Sequence, residues 1–366
     1  MVEWIADNQA LERAVAQWRE VIGLDTEFIR TNTYYPLPGL YQIASGDDVF
    51  LLDPAAIDQW QPFTEYLADP NTTKIMHACL EDLELLNHHL GVNPVNVFDT
   101  QYANAFVSAD FSLSYAALVE RNLGVHIEKH ETRSNWLQRP LTDNQISYAV
   151  EDVTYLGPLY EQLSEQLQKL DRQSWFAPDM RTREIYSSTD PLEYYRSVKK
   201  AWHLPGQKLA VLKALCAWRE TTARAEDVPR KRIVWDEHLY EFSQVDELTS
   251  QHIEHALPRG VARRYGDALV EQHRQGSNAD LVPTAVPRPL SSAQGATVKM
   301  LRKVALSMAN KLDMAPELIG RKKDLEACVR HHAENAALSP RYGSWRGALV
   351  ADQFSAVLQQ RTGAGI

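Results

Sequence analysis

With 366 residues, 44% of them hydrophobic and 23% charged, the chain has an ordinary globular composition and is too long for one small core, so two or three domains are expected. No stretch reaches 18 apolar residues, which excludes a membrane-spanning helix, and three widely spaced cysteines (Cys79, Cys216, Cys328) argue against a disulfide framework or a zinc ribbon. The net charge of −10 is uneven: residues 1–198 hold 13 Lys and Arg against 30 Asp and Glu, and residues 199–366 hold 25 against 18, so a half suited to cations precedes one suited to a polyanion, although ordinary surface variation between domains gives the same asymmetry.

The opening residues, MVEWIADNQALERAV, carry acids and no apolar segment, so they do not read as a signal peptide, and the cytoplasm is the expected address. Residues 7–19 have a helical period through Leu11, Val15 and Trp18. Val21–Leu24 reads as a buried strand ending at Asp25. Leu40–Ala44 and Val49–Leu52 read as two strands joined at Gly46-Asp47-Asp48. A helix is predicted over 60–67, a strand over 74–77, a helix over 81–89, a short strand at Val97-Phe98 and a helix over 100–107. Thr142 is a fitting N-cap for a long helical stretch, 142–170. This order predicts an α/β domain with a mixed sheet. Strand signals fade after residue 172. Residues 190–198 read as a connector, 207–220 and 236–274 as helical, 276–293 as a Pro-rich linker, and 294–361 as helical with breaks near Pro316 and Ser339-Pro340.

Four acidic clusters stand out. Asp25 and Glu27 are two apart in an extended segment, so they share a side. Glu81-Asp82 opens a helix, and Asp99 follows a strand. Tyr148 and Asp152 are four apart on a helix, so a phenol and a carboxylate share a face. Converging carboxylates repel one another unless cations neutralise them, and an all-oxygen donor set suits Mg²⁺ or Mn²⁺. Two such ions about 4 Å apart can clamp a phosphodiester. The bland readings stay open at this point: Glu81 and Asp82 also suit a helix N-terminus, and Tyr148 a core position. No GxxxxGK loop, HExxH helix or dinucleotide glycine fingerprint is present, which leaves a dehydrogenase or phosphatase without its expected motif.

These residues resemble the bacterial ribonuclease D family, in the tyrosine-containing subgroup of the DEDD exonuclease superfamily. The resemblance runs through Leu24-Asp25-Thr26-Glu27-Phe28, Arg30-Thr31, Tyr34-Tyr35-Pro36 and Gly39–Ile43, then His77-Ala78-x-x-Glu81-Asp82-Leu83 and Asp99-Thr100-Gln101. Its most diagnostic part is Ser134-x-Trp136-Leu137-x-Arg139-Pro140-Leu141 followed by Tyr148-Ala149-x-Glu151-Asp152-Val153-x-Tyr155-Leu156. Trp202, Leu209, Leu212, Leu215, Trp218 and Arg219 resemble the start of an HRDC-type helical module.

The resemblance implies a ribonuclease H-like α/β exonuclease domain with a mixed sheet over residues 1–172 and a connector over 173–198. A first all-α HRDC domain over 199–280, a linker over 281–293 and a second, more divergent HRDC-like domain over 294–366 would follow. It implies 3′→5′ exoribonuclease activity that releases nucleoside 5′-monophosphates with two divalent metal ions, Mg²⁺ or Mn²⁺. Asp25, Glu27 and Asp152 would ligate the first ion, Asp25 would bridge to the second, Asp82 would hold the second mainly through water, and Tyr148 would orient the attacking water. Thr26 and Phe28 would flank the terminal nucleotide, Phe28 being equally suited to the core. The implied partner is RNA, notably transfer RNA precursors with single-stranded 3′ ends, held by the helical modules through clusters such as Arg230-Lys231-Arg232, Arg263-Arg264 and Arg321-Lys322-Lys323. No membrane and no obligate protein partner are expected. A DNA exonuclease and a catalytically silent RNA-binding scaffold are the alternatives; intact acids speak against the second.

Overall fold

The computed structural model describes residues 1–127 and 134–362. Its chain order is β1 (Val2–Ile5), α1 (Asn8–Val15), β2 (Val21–Ile29), β3 (Leu37–Ser45), β4 (Asp48–Leu52), α2 (Gln61–Ala68), β5 (Thr73–Met76), α3 (Leu80–Leu90), β6 (Val97–Asp99), α4 (Thr100–Val107), α5 (Tyr115–Leu123), α6 (Asp143–Thr154), α7 (Leu156–Lys169) and α8 (Gln173–Arg183). Then come α9 (Gly206–Ala225), α10 (Arg230–Ile233), α11 (Asp236–Phe242), α12 (Ser250–Ala256), α13 (Arg259–Ser277), α14 (Ser292–Leu312), α15 (Pro316–Gly320), α16 (Lys322–Asn335) and α17 (Trp345–Thr362).

The sheet is mixed, as expected, in the order β1-β4-β3-β2-β5-β6. β3 and β4 pair antiparallel across Gly46-Asp47, where Gly46 takes the positive φ of +64° that a tight turn requires. β2, β5 and β6 run parallel. β1 escapes the sequence pattern because three of its four side chains are exposed; register with β4, not burial, makes it a strand. β2 lies inside the sheet and continues past Leu24 to Ile29, so Asp25 and Glu27 stand within the strand and not beyond its edge. The stretch 142–170 divides at Tyr155. A continuous helix would need an amide hydrogen at residue 158, which is proline; placing Pro158 in the first turn of α7 removes the conflict.

The chain forms two compact units. One comprises Met1–Ile29, Pro38–Tyr186 and Leu290–Ile366, the other Arg30–Leu37 and Ser187–Pro289. The last helices, expected as a second HRDC-like domain beyond a Pro-rich linker, therefore belong to the same unit as the sheet. Their buried positions Val298, Leu301, Ala305, Ala309 and Phe354 share its core. The Ala315 amide donates to the Ala105 carbonyl at 2.8 Å, and Arg172 donates to the carbonyls of Phe106 and Leu312. Trp345 stacks on Trp175 with ring centroids 5.0 Å apart, and Arg346 grips Asp179 with both guanidinium nitrogens. In the second unit α9 and α13 pack closely over Leu209, Leu212, Leu215 and Leu269.

The Arg346–Asp179 pair is nearly buried. Replacing Arg346 by Ala strands Asp179 and removes a clamp on the C-terminal helices, so the Arg346→Ala chain is expected to lose about 3 kcal/mol of stability. Urea unfolding followed by tryptophan fluorescence measures this; a midpoint equal to that of the parent would mean the clamp carries no stability.

Candidate functional site

In β2 the side chains of Leu24 and Thr26 are buried, while Asp25 and Glu27 are half-buried on the opposite side of the strand. α6 is fixed at its start by a capping box in which Thr142 and Gln145 satisfy each other's amides. Its buried Ala149 and Val153 pack it onto the sheet, which directs Tyr148 and Asp152 to one face. Gly23 makes this approach possible: a Cβ there would stand 3.1 Å from both the Val153 carbonyl oxygen and Leu156 Cβ. As a result Asp25, Glu27 and Asp152 each offer a carboxylate oxygen within 4.8 Å of the others. Tyr148 hydrogen-bonds Asp152. Its ring packs near buried Trp136, at 6.1 Å between centroids. The Trp136 segment is held by Arg139, which donates to Asp53 at 2.8 and 2.5 Å and to the Gly39 carbonyl at 2.7 Å.

Asp82 lies outside the triad, in the first turn of α3. It is buried and accepts a 2.5 Å hydrogen bond from the Thr26 hydroxyl. Thr26 is therefore turned toward Asp82, a partnership that no local sequence pattern shows, while Phe28 packs partly buried against the core. The acidic residue Asp99 stays apart from the triad as well. Fully buried, it accepts from the amides of Ala78 and Tyr102 and from the Cys79 thiol, and pairs with Arg183 at 3.6 Å. It thereby fixes the turn into α3, where Ala78 is held at φ +56°. His77, from the same motif, spends both ring nitrogens on Thr100 and the Leu113 carbonyl.

The electrostatics of the site run in one direction. Burial first, and then Asp152 and Asp82, push Glu27 up to about 9. Burial raises Asp152 to about 7 and Asp82 to about 6, against the lowering effect of the Tyr148 and Thr26 hydrogen bonds respectively. Asp25 is raised well above the usual carboxylate range by burial and by Asp82, Asp152 and Glu27. The Tyr148 phenol is also pushed up, by burial and then by the three acids. A donor set of carboxylates that suppress one another's ionisation fits hard divalent cations, whose charge reverses each of these shifts.

Residues 2–168 match the 3′–5′ exonuclease family, and residues 208–271 match the HRDC domain family. Fold and site together define a 3′–5′ exonuclease of the DEDD superfamily with an HRDC domain. Ribonuclease D of Pseudomonas paraeruginosa is 38% identical over 338 residues, 90% of this chain and 89% of the relative. Ribonuclease D of Escherichia coli is 30% identical over 360 residues, 93% of each chain. The crystal structure of E. coli RNase D, described as an exoribonuclease involved in structured RNA processing, matches with a TM-score of 0.87 at 29% identity over 98% of this chain and 99% of that one. The chain belongs to the ribonuclease D family.

The raised carboxylates set the pH behaviour of the metal-free protein. The folded state holds protons that the unfolded chain, with carboxyl pKa values near 4, has released, so these groups lower stability progressively as pH climbs from about 4 to about 9. A cation that binds the ionised forms must displace those protons. Titration of the metal-free protein with Mn²⁺ near pH 7 is expected to release protons, seen calorimetrically in buffers of different ionisation heat, and apparent affinity should rise with pH over 6–9. Binding without proton release would show that the acids are already ionised.

Proposed function

We propose that the chain is a metal-dependent 3′→5′ exoribonuclease that hydrolyses the last phosphodiester of an RNA strand and releases nucleoside 5′-monophosphates, acting in the cytoplasm on the single-stranded 3′ ends of structured RNA such as transfer RNA precursors. The observation that carries this reading is the convergence of Asp25, Glu27 and Asp152, with Tyr148 hydrogen-bonded to Asp152, in a chain of the ribonuclease D family. The description of the E. coli relative as acting in structured RNA processing supports the substrate class. The three buried, free cysteines suit a reducing compartment.

In this reading Asp25, Glu27 and Asp152, with Asp82 beside them, would hold the divalent cations, Mg²⁺ or Mn²⁺. When bound, the two ions supply neutralising charge at the phosphodiester and acidify the attacking water. Thr26 keeps Asp82 in one rotamer through its hydroxyl. Tyr148, beside Asp152, would orient the water; a phenol's ordinary pKa near 10 leaves it protonated at neutral pH, so it is not the base. As the water oxygen bonds to phosphorus it sheds a proton to solvent, the bond from phosphorus to the 3′ oxygen breaks, and that oxygen takes up a proton from solvent. The helical modules hold the remainder of the strand through backbone contacts, which give affinity and salt dependence but no sequence choice.

Digestion of matched 5′-labelled RNA and DNA oligonucleotides with Mg²⁺ or Mn²⁺ tests the reading. Nucleoside 5′-monophosphates should be released stepwise from RNA; preferential digestion of DNA would favour a DNA exonuclease instead. Asp25→Asn should cut the rate at least about 100-fold while the fold survives, as befits loss of an electrostatic partner to the reaction. Near-parental turnover by that folded variant would remove Asp25 from the site. Tyr148→Phe should slow the single-turnover step yet leave Mn²⁺ affinity largely intact; an unchanged chemical step would rule out the water-orienting role.

A further inference from the structure

A recess of the second compact unit lies where the segment Arg30–Leu37 meets α9–α11, all within that unit. Its volume is about 740 Å³, and its lining includes Arg30, Tyr34, Tyr194, Arg230, Lys231 and Trp235. The walls are rigidly built. Tyr34 and Tyr35 donate their amides to Asp227 at 2.9 and 3.0 Å. The Tyr34 hydroxyl and the Arg230 guanidinium both donate to the fully buried Glu220 carboxylate. Arg230 is sandwiched between the Tyr34 and Tyr194 rings, 4.8 Å from each centroid. Arg219, on the same wall, pairs with Asp236 at 2.6 Å.

With these groups occupied, the structure sorts the basic cluster Arg230-Lys231-Arg232 into different roles. Arg230 serves the buried Glu220, and Arg232 donates to Asn32 at 2.5 Å. Lys231 has no carboxylate at ion-pair distance among the described residues. Its ammonium lies 4.8 Å from the ring centroid of Trp235, a tryptophan that is 50% exposed. An exposed tryptophan face beside an uncommitted lysine, on a wall held in place by buried ion pairs, is the combination that single-stranded nucleic acid uses: a base stacks on the ring while a phosphate meets the cation. Glu237 also lines the recess and repels phosphate, and Arg30 is engaged by the Tyr34 carbonyl at 2.9 Å, so the cation offered to a phosphate is Lys231.

We propose that this recess is a nucleotide subsite for the RNA strand, with a base stacked on Trp235 and a neighbouring phosphate at Lys231. The subsite rests on the exoribonuclease reading for its ligand, and it is separate from the metal-binding carboxylates in residues and in chemistry.

The test uses the full chain and a 5′-fluorescein-labelled single-stranded oligoadenylate of about twelve nucleotides, with EDTA present so that nothing is cut. Fluorescence anisotropy gives Kd at about 50 and 200 mM salt. Trp235→Ala should weaken binding about tenfold with an unchanged salt slope, and Trp235→Phe should recover most of the loss, because stacking is insensitive to counterions. Lys231→Ala should weaken binding and reduce the slope by about 0.7, one phosphate contact on a single strand. Both side chains are exposed, so circular dichroism spectra should match the parent. Variants that bind within about twofold of the parent, at both salt concentrations, would overturn the subsite. Displacement of the oligomer by millimolar 5′-AMP as effectively as by unlabelled oligomer would make the recess a mononucleotide site and overturn the assignment to a strand. A parallel digestion of the same oligomer with Mn²⁺ separates the two readings. Cutting by the parent together with parent-like binding by both variants defeats the subsite alone; no cutting defeats the exoribonuclease reading, and the binding arm then decides the subsite by itself.

Discussion

Mutual repulsion among four acids, Asp82 buried and the other three half-buried, is the constraint around which the first unit is organised. Asp25, Glu27 and Asp152 are held with oxygens within 4.8 Å of one another, and Asp82 adds to the repulsion felt by Asp25 and Glu27. Left to relax, such groups would swing apart or take up protons. The fold prevents the first by placing them on elements that cannot move independently. β2 is an interior strand with a neighbour on each side, and α6 is locked by its capping box and by the tight approach over Gly23. The second response, protonation, is what the raised acids record, and it is reversible by a cation. Rigid backbone and yielding protonation together make a site that is poised for metal.

The surrounding polar residues follow from the same constraint. Thr26 points away from the triad, yet it holds Asp82 by a hydrogen bond, so one strand segment serves both sides of the site. Asp99 looks like a further ligand in sequence but is consumed in satisfying the Ala78 and Tyr102 amides at the turn into α3. That turn includes a residue at positive φ, and its alignment sets where Asp82 begins. An acid that caps a helix and an acid that binds a cation are alike in composition; only the number of amides within reach separates them.

The legible part of the sequence was the part written in local pattern. The spacing of Asp25 and Glu27 and of Tyr148 and Asp152 fixes shared faces as soon as strand and helix are assigned, and the β3–β4 hairpin follows from its glycine turn. Convergence of the faces was not legible from spacing, because it depends on sheet order and on Gly23. β1 was invisible because its identity comes from pairing with β4, and Thr26 because its partner is 56 residues away. The resemblance to a known family supplied what spacing could not, since it brought the motifs in as a set. The attachment of the C-terminal helices was missed for a different reason. A Pro-rich segment predicts a break in secondary structure but does not say where the chain goes next, and here it returns to the unit that contains the sheet.

That return changes the meaning of the charge asymmetry. Divided by sequence, the chain has an acidic half and a basic half. Divided by packing, residues 290–366, with eleven Lys and Arg against six Asp and Glu, share a unit with the acidic triad. A site that concentrates carboxylates repels a polyanionic substrate wherever cations do not intervene, and bound metal compensates only over its own few ångströms. Basic helices fixed to the same unit by the Trp345–Trp175 stack and the Arg346–Asp179 clamp keep positive charge in a constant relation to those acids. Such a relation would be lost in a module on a flexible tether, where the field at the site would average over the positions of the tether. The buried clamp that holds the C-terminal helices therefore fixes where their charge lies within the unit that carries the acids.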